Sequence, residues 1–434
     1  MRCNNTYCDV IRVVGFEPIP QQSSVYAHVD GFSVLLISVT QIEYFLLKKI
    51  HEKPTSEHPN SSVKVSSPAF SALNMSGKTP NSRMTYGNYL QLDELLSLQS
   101  GPEGHTPAPS NHEMHFIVTH QAFELWFKQI NRELEDVLTL MDVSEVDEKQ
   151  IPVIVSHLER CSEIFRLLAS QWKVMETLAP QDFLAFRDRL GTSSGFESWQ
   201  MRMLEMLLGL ESEQRIGGMD PMEHNRKLHS EGKLSDSVME DMNRVDNMPS
   251  LNDVLQRWLS RTPVNGVSGD VNVLRDFVEG HLSSMEEHGE SVIAHMVKIG
   301  HGSEETIRPR IQSGIEGARN FLLPDGEVSA ARAGLLFIES YRELPLLSWP
   351  RRMIDTVVDL EESMLLFRSH HARMVERMIG RRMGTGGSSG VDYLDMTLKY
   401  RIFTDLWAVR TMLVKRDALP NPENPEFYGY AAEN

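Results

Sequence analysis

The chain has 434 residues, a formal net charge of −17 at pH 7 and three cysteines. The acidic charge argues against a general nucleic-acid-binding protein, because phosphate surfaces would repel it. The cysteines are too few and too scattered for a disulfide framework. The chain start lacks the basic and apolar regions of a secretory signal, and the most apolar early stretch, Phe32 to Leu47, is too short to span a bilayer. We therefore expect a cytoplasmic protein that binds neither nucleic acid nor membrane.

The first 83 residues differ in composition from the rest and are interpreted as an N-terminal extension. Residues 32–50 are expected to form a strand and a short helix. Residues 53–83 are dense in serine, proline, asparagine and lysine, which is typical of a linker. The extension is therefore expected to be largely linker-like.

From Met84 onward the spacing of apolar residues predicts helices almost without exception, in a domain that covers residues 84–420. A first amphipathic run extends to Leu98, and a longer run follows a loop rich in proline and glycine. Steps of four and three residues place one set of side chains of the longer run on a single helical stripe: Phe116, His120, Phe123, Phe127, Ile130, Leu134, Val137 and Met141. The stripe is apolar except for its one histidine.

Further helices are predicted in the segments 151–178, 183–190, 251–260, 270–300, 308–323 and 328–343. Residues 211–330 include a polar, methionine-rich stretch, 212–249, which is interpreted as an inserted helical excursion. Leu398 to Val414 closes the core, and residues 421–434 form a tail rich in proline and asparagine. The expected fold is all-α.

The segment 328–343 is expected to lead through Pro345 and Pro350 into a helical run from Asp359 to Ile379, which Gly380 ends. This run leads into a loop made of glycine, serine and threonine, Gly384 to Gly390. The apolar stripe of this run carries His371, while His370 points about 100° away. Small residues let the backbone of such a loop approach a ligand closely and offer its N–H groups. An imidazole on an apolar stripe before this loop indicates the edge of a buried cofactor.

Two other interpretations of His120 and His371 are open at this stage. A single histidine on an apolar face is most often a core residue whose ring bonds a carbonyl. The second is a non-haem iron site of two histidines and one carboxylate, because Glu124 lies four residues after His120. The phenylalanine, methionine and tryptophan around these positions suit a flat macrocycle better than a hydrated ion. None of the sixteen histidines belongs to the Glu-x-x-His pair of a di-iron bundle.

Four blocks of the sequence resemble the haem-dependent tryptophan 2,3-dioxygenase family. The blocks are Tyr86 to Leu90, Phe116 to Gln129, Phe183 to Arg187 with Ser194 to Phe196, and His371 through the glycine-rich loop to Leu394. Their order and approximate spacing agree with the family over most of the helical domain, and the second and fourth blocks are highly specific. The resemblance implies an all-α, haem-containing helical bundle with an inserted small helical subdomain.

The resemblance also implies a reaction and a cofactor. Enzymes of this family use haem b and O₂ to cleave the indole C2–C3 bond of L-tryptophan, giving N-formyl-L-kynurenine in the first step of the kynurenine pathway. By the same resemblance His371 is the proximal ligand of the haem iron, and His120 is the catalytic residue that accepts a hydrogen bond from the indole N–H. Gly384, Gly386 and Ser194 are the further residues expected at the haem.

The expected substrate pocket combines aromatic walls with polar groups for an amino acid. The residues that the resemblance places against L-tryptophan are Phe116, Ile117, Val118, Thr119, His120, Phe183, Arg187 and Thr385. Arg187 pairs with the carboxylate, and Thr385 bonds the carboxylate and the ammonium. Residues that match Tyr86, Tyr89 and Leu90 come from a neighbouring subunit in the family, which implies a homotetramer.

The sequence departs from the family pattern at His112, Glu113 and His115, where an acidic pair and an apolar residue are usual, and at Phe123, where tyrosine is common. These positions flank the site, so they bear on fine specificity more than on the reaction. Two alternatives stay open. One is a related haem-dependent oxygenase that takes a substituted tryptophan or another indole, and the other is a non-catalytic haem-binding sensor, which has no need of a clamp for an amino acid.

Overall fold

The chain forms two compact units, Met1–Arg83 and Met84–Asn434. A computed structural model describes these residues: the strands 25–29 and 32–36, and the ranges 84–101, 106–385, 387 and 389–429.

The described part of the first unit is a pair of strands. Strand β1 (Val25–Val29) runs antiparallel to β2 (Phe32–Leu36), with Val29 opposite Phe32. β2 lies where the sequence predicts a strand, whereas β1 was not predicted. The helix expected after β2 and the linker at 53–83 lie outside the described residues.

The second unit is built from helices, which confirms the all-α prediction. Its α-helices are α1 (Tyr86–Leu90), α2 (Leu92–Leu95), α3 (Asn111–Met141), α4 (Ile151–Met175), α5 (Pro180–Arg187), α6 (Trp199–Leu208), α7 (Pro221–Ser230), α8 (Asp236–Asp246), α9 (Leu251–Leu259), α10 (Val271–Lys298), α11 (Glu304–Leu322), α12 (Ala330–Ser340), α13 (Ser348–Ile379), α14 (Val391–Thr397) and α15 (Thr404–Ala408). Of the helices in the described ranges, none combines the length and the apolar character that crossing a bilayer requires.

Three long helices form the frame of this unit. The most extensive helix packing in the described ranges joins α4 and α13, and α3 packs along α4. Their apolar stripes explain this arrangement, because Leu134, Leu158 and Leu360 are each completely buried. Burying one leucine side chain contributes about 1.5–3 kcal/mol. The frame carries both candidate histidines, His120 on α3 and His371 on α13.

Helix α13 begins at Ser348, so the start predicted at Asp359 is wrong. The sequence predicts a connection through Pro350, but this proline lies in the first turn of the helix. A proline costs little there, because the first amide groups of a helix have no intrahelical partner. The helix ends where the glycine indicates, since Gly380 follows Ile379 with a φ of 58°.

The segment interpreted as a helical excursion contains several packed pairs. Helices α7 and α8 pack on each other, and α8 also contacts α6. Helices α10 and α11 form a second pair, in which a Cβ at Gly289 would lie 2.7 Å from Ile311. Helix α9 packs on α12 and on α3, one of the three frame helices.

Residues after α14 complete the core with little regular helix. The backbone amides of Ile402 and Phe403 donate to the carboxylate of Glu361 on α13, at 2.6 and 3.3 Å. The Glu361 side chain therefore satisfies two backbone amides that would otherwise bond carbonyls within a helix. The α-helix in this stretch is the short α15. Tyr428 lies in the segment predicted to be a tail, but its side chain is buried and its hydroxyl accepts a hydrogen bond from the amide of Gly266 at 2.9 Å.

Candidate active site

A cavity of about 290 Å³ is enclosed by α3, α4, α5, α6, α13 and α14. Its volume is near the lower limit of typical ligand pockets, which span about 300–1,000 Å³. Most of its wall is apolar, with these phenylalanine and tryptophan side chains: Phe116, Phe123, Phe127, Trp172, Phe183, Phe196 and Phe367. The cavity brings together His120 and His371, which the sequence placed on two separate stripes.

His371 presents a neutral imidazole to this cavity. Its ring stacks on Trp172, with ring centroids 4.5 Å apart and planes inclined by 6°. Burial, and to a smaller extent the nearby His120, lowers the pKa of His371 to about 4. No described residue forms a hydrogen bond with either ring nitrogen of His371. The adjacent His370 is turned away, and its Nδ1 donates to the carbonyl of Ala169 at 2.9 Å.

His120 is also neutral, and its tautomer is fixed. Its Nδ1 donates to the carbonyl of Phe116 at 2.8 Å, so in the neutral ring Nε2 is left as a hydrogen-bond acceptor. Burial lowers the pKa of His120, and the bond to Phe116 opposes this effect only in part. A buried acceptor with this geometry suits an N–H donor in an apolar ligand.

Aromatic rings from two helices surround His120. The Phe116 ring lies 4.0 Å from the imidazole and 5.8 Å from the ring of Phe183, measured between centroids. Phe186 contacts both phenylalanines, at 5.7 and 5.4 Å. These walls fit a flat aromatic ligand.

Two loops of small residues meet beside the cavity. Arg187, at the end of α5, donates to the carbonyl of Met383 at 2.5 Å. The Thr385 hydroxyl donates to the carbonyl of Ser193 at 2.6 Å. Both Arg187 and Thr385 also line the cavity, so the structure brings the two predicted carboxylate-binding groups to one place.

The glycine-rich loop requires glycine at its last position. Gly390 has a φ of 59°, and a Cβ there would lie 2.8 Å from the carbonyl oxygen of Arg382. Gly384 and Ser194 line the cavity, and the Ser194 hydroxyl accepts a hydrogen bond from a nearby backbone amide. Gly386 lies outside the described residues.

Three residues predicted to bind substrate lie on other faces of α3. Ile117, Val118 and Thr119 do not line the cavity. Val118 is 47% exposed, and the carbonyl of Thr119 accepts a hydrogen bond from Gln171 on α4. Their side chains thus flank the site, while the backbone of this helical turn holds His120 in place.

The predicted cross-subunit residues are strongly exposed. Tyr86 and Tyr89 expose 76% and 73% of their surface, and Leu90 exposes 40%. No residue of α1 or α2 is buried. These side chains do not line the cavity of their own chain.

The non-haem iron alternative finds no support in the side-chain arrangement. Within the described ranges, no three residues among histidine, cysteine, aspartate and glutamate gather as a metal site. Glu124, its proposed carboxylate, accepts a hydrogen bond from Gln200 at 3.1 Å. An apolar cavity with aromatic walls fits a flat macrocyclic cofactor better than a hydrated ion.

Two features of the cavity were missed by sequence reasoning. Trp172 on α4 stacks on His371. The sequence feature that could have indicated this residue is its place on the apolar stripe of α4. A buried ionic cluster of Arg202, Glu205 and Arg368 also lines the cavity. Its only sequence signal was the position of Arg368 one turn before His371.

The fold and the cavity define an all-α protein with a ligand-sized cavity between aromatic walls and neutral imidazoles. A family profile described as tryptophan 2,3-dioxygenase matches residues 74–413. The chain belongs to the tryptophan 2,3-dioxygenase family, whose members are haem-dependent oxidoreductases.

Individual relatives agree with this assignment. The chain is 40% identical over 364 residues to "Tryptophan 2,3-dioxygenase 2" of Ralstonia nicotianae, covering 81% of this chain and 98% of the relative. It is 39% identical to "Tryptophan 2,3-dioxygenase" of Sorangium cellulosum, covering 81% and 88%. The protein of the same name from Aedes aegypti is 35% identical, with 78% and 87% covered. The similarity therefore extends over nearly the full length of these relatives.

Proposed function

We propose that this chain is a haem-dependent dioxygenase that cleaves the indole C2–C3 bond of L-tryptophan with O₂ to give N-formyl-L-kynurenine. The observation that carries this proposal is one cavity with two neutral imidazoles and with Arg187 and Thr385 side by side. The names of the relatives support the same substrate and reaction. The reaction is the first step of tryptophan breakdown by the kynurenine pathway.

His371 is the residue that holds the haem b iron in this proposal. Its neutral ring is free of hydrogen bonds to the described residues, so a nitrogen lone pair is available to a metal. A haem held there would supply the iron that activates O₂. Gly384, Gly386 and Ser194 are proposed to pass close to its edge, because small side chains leave room for a macrocycle.

His120 orients the substrate. Its Nε2 accepts the hydrogen bond of the indole N–H, because Nδ1 is already committed to Phe116. The rings of Phe116 and Phe183 hold the indole plane and exclude water from it. Ile117, Val118 and Thr119 contribute through the backbone of their helical turn, since they do not line the cavity.

Arg187 and Thr385 recognise the amino-acid group. The Arg187 guanidinium donates to a neutral carbonyl in this structure, and a carboxylate is a stronger acceptor that takes two parallel bonds. Substrate binding thus exchanges the Met383 contact for an ion pair. Thr385 offers a hydroxyl and backbone groups to the carboxylate and ammonium.

The active form in this proposal is a homotetramer in the cytoplasm. Large apolar side chains on α1 are costly to leave in water, and association with a second copy would bury them. Tyr86, Tyr89 and Leu90 then complete a neighbour's pocket. Cys161 is a free, buried thiol, which suits a reducing compartment.

The direct test adds L-tryptophan and O₂ to the ferrous purified protein and follows the absorbance of N-formylkynurenine. We expect one product molecule for each O₂ consumed. A haem-binding sensor would consume no O₂ and yield no product. An oxygenase for another indole would leave L-tryptophan unchanged but consume O₂ with a substituted tryptophan.

A further inference from the structure

Part of the cavity wall is a buried ionic cluster that the proposed reaction does not use. The carboxylate of Glu205 on α6 accepts a hydrogen bond from Arg368 at 2.8 Å and lies 3.1 Å from Arg202. Arg215 donates to the same carboxylate. All four side chains are buried, with at most 8% of any residue exposed.

This cluster carries more positive than negative charge. Three guanidinium groups face one carboxylate, which leaves a formal excess of two positive charges. Burial alone would raise the pKa of Glu205, but its interactions with Arg202, Arg368 and Arg215 outweigh burial and hold this pKa below its usual value. Glu205 is therefore ionised and neutralises only one of the three arginines.

Among the described residues, Glu205 is the carboxylate that pairs with these three arginines, and no second carboxylate pairs with any of them. The Nε atoms of Arg202 and Arg215 are buried and have no hydrogen-bond partner among the described residues. Burying a charge without a partner is costly, so such groups usually mark the place of a counter-ion or ligand. The missing partner is an acceptor that carries negative charge.

The arginines are directed to the cavity by their neighbours. Arg202 and Arg368 line it, whereas Arg215 does not. The Arg368 guanidinium lies 4.9 Å from the ring centroid of Tyr400 and donates to the carbonyl of Thr397 at 3.2 Å. These contacts fix the position of Arg368, one helical turn from His371 on α13.

We propose that Arg202 and Arg368 form a dianion-binding end of the cavity that holds the two carboxylates of the haem. Glu205 is the positioning residue that aligns both guanidinium groups, and Arg215 neutralises Glu205 from outside the cavity. This inference rests on the haem in the proposed function. The match is one of charge, because haem b carries two propionates on one edge and the cluster has an excess of two positive charges.

The first arm of the test uses the unmodified protein. Apoprotein is titrated with haemin and with haemin dimethyl ester, which lacks both negative charges, and binding is followed by the Soret band. We expect the free acid to bind at least tenfold more tightly. Equal affinity for haemin and its dimethyl ester would overturn the assignment of the propionates to this cluster but leave the proposed function intact. If neither compound binds, both this assignment and the proposed function are wrong.

The second arm compares two variants that each remove one guanidinium from Glu205. Arg202→Gln changes the cavity wall and should reduce the preference for the free acid to threefold or less. Arg215→Gln is the matched control, because it perturbs the same carboxylate from outside the lining, and it should keep the preference. An equal loss in both variants would show that the cluster is only structural, and if either variant does not fold, the first arm alone decides.

Discussion

The hydrogen-bonding role of His120 follows from two opposing effects on its pKa. Burial is the larger effect and lowers the pKa, while the bond from Nδ1 to the Phe116 carbonyl raises it. Because the net shift is downward, the ring is neutral at pH 7 and Nε2 keeps its lone pair. Protonation would turn Nε2 into a donor, which cannot accept the indole N–H.

The pH profile of kcat/KM for L-tryptophan tests this protonation state. A histidine with a lowered pKa loses its acceptor only at a pH below the ordinary value of about 6.5. We expect kcat/KM to stay level as the pH falls through 6.5 and to decline only below it. The His120→Gln variant should have a lower kcat/KM that does not decline in this way. A decline of the wild-type kcat/KM centred above pH 6.5 would contradict the neutral state assigned to His120.

Arg187 is expected to recognise the substrate carboxylate. In a pocket closed by substrate, Arg187→Ala should weaken L-tryptophan binding by about 2–5 kcal/mol, the cost of truncating one partner of a buried charge pair. Binding is measured by the spectral shift of the haem. Tryptamine, which lacks the carboxylate, is the control and should lose little. Equal losses for both ligands would show that Arg187 acts through its bond to the Met383 carbonyl.

Among the helices, one close contact involves Gly334 on α12. A Cβ at this position would lie 2.3 Å from the carbonyl oxygen of Leu259 and 2.8 Å from Thr262. Backbone cannot move aside as a flexible side chain can. The approach of α9 and α12 therefore depends on glycine at 334.

Gly334→Ala should lower the free energy of unfolding by about 1–3 kcal/mol, the usual cost of overpacking a core. Gly314→Ala on α11 is the matched control, because apart from its chain neighbours and the backbone of its own helix no atom lies within 4 Å of its added Cβ. The control should gain up to about 1 kcal/mol, since alanine is favoured over glycine inside a helix. Denaturant midpoints measure both changes, and a neutral Gly334→Ala would contradict the packing described here.

Local patterns predicted the helices well, because the periodicity of a helix depends on residues only three or four positions apart. The stripes that carry His120 and His371 both face the cavity, and Gly380 ends α13. The start of α13 was missed because a proline such as Pro350 usually interrupts a helix. In the first turn of a helix, however, a proline is tolerated.

Features that depend on distant residues were not predictable in this way. The stack of Trp172 on His371 joins two helices, and no local pattern records their relative rotation. The residues after α14 satisfy their amides with Glu361, which lies 41 positions from Ile402. The charge cluster around Glu205 likewise forms only when α6 and α13 pack.

At the scale of the whole molecule, residues 1–83 are expected to be dispensable for chemistry. Residues 1–73 precede the match to the family profile, and residues 53–83 lack the apolar pattern needed to dock on a helical core. A truncated chain that starts at Asn81 should keep haem content and turnover. Activity assays and size-exclusion chromatography compare the truncated and full-length chains. A large loss of activity in the chain that starts at Asn81 would show that the extension is part of the catalytic assembly.

A longer truncation, starting at Gln91, should behave differently. It removes Tyr86, Tyr89 and Leu90, which are exposed in a single chain. If these side chains close a neighbour's pocket, substrate affinity and subunit association should fall together, because one segment serves both. A fully active oligomer lacking this segment would rule out the cross-subunit role.

His371 is proposed to hold the haem at which L-tryptophan is oxidised, and two variants of adjacent histidines test this role. His371→Ala and His370→Ala remove adjacent imidazoles, one in the cavity and one bonded to the carbonyl of Ala169. Haem content is read from the Soret band, and N-formylkynurenine formation is measured on the same preparations. We expect His371→Ala to lose both signals and His370→Ala to keep both. Haem retained with normal turnover in His371→Ala, or lost in a folded His370→Ala, would contradict this role.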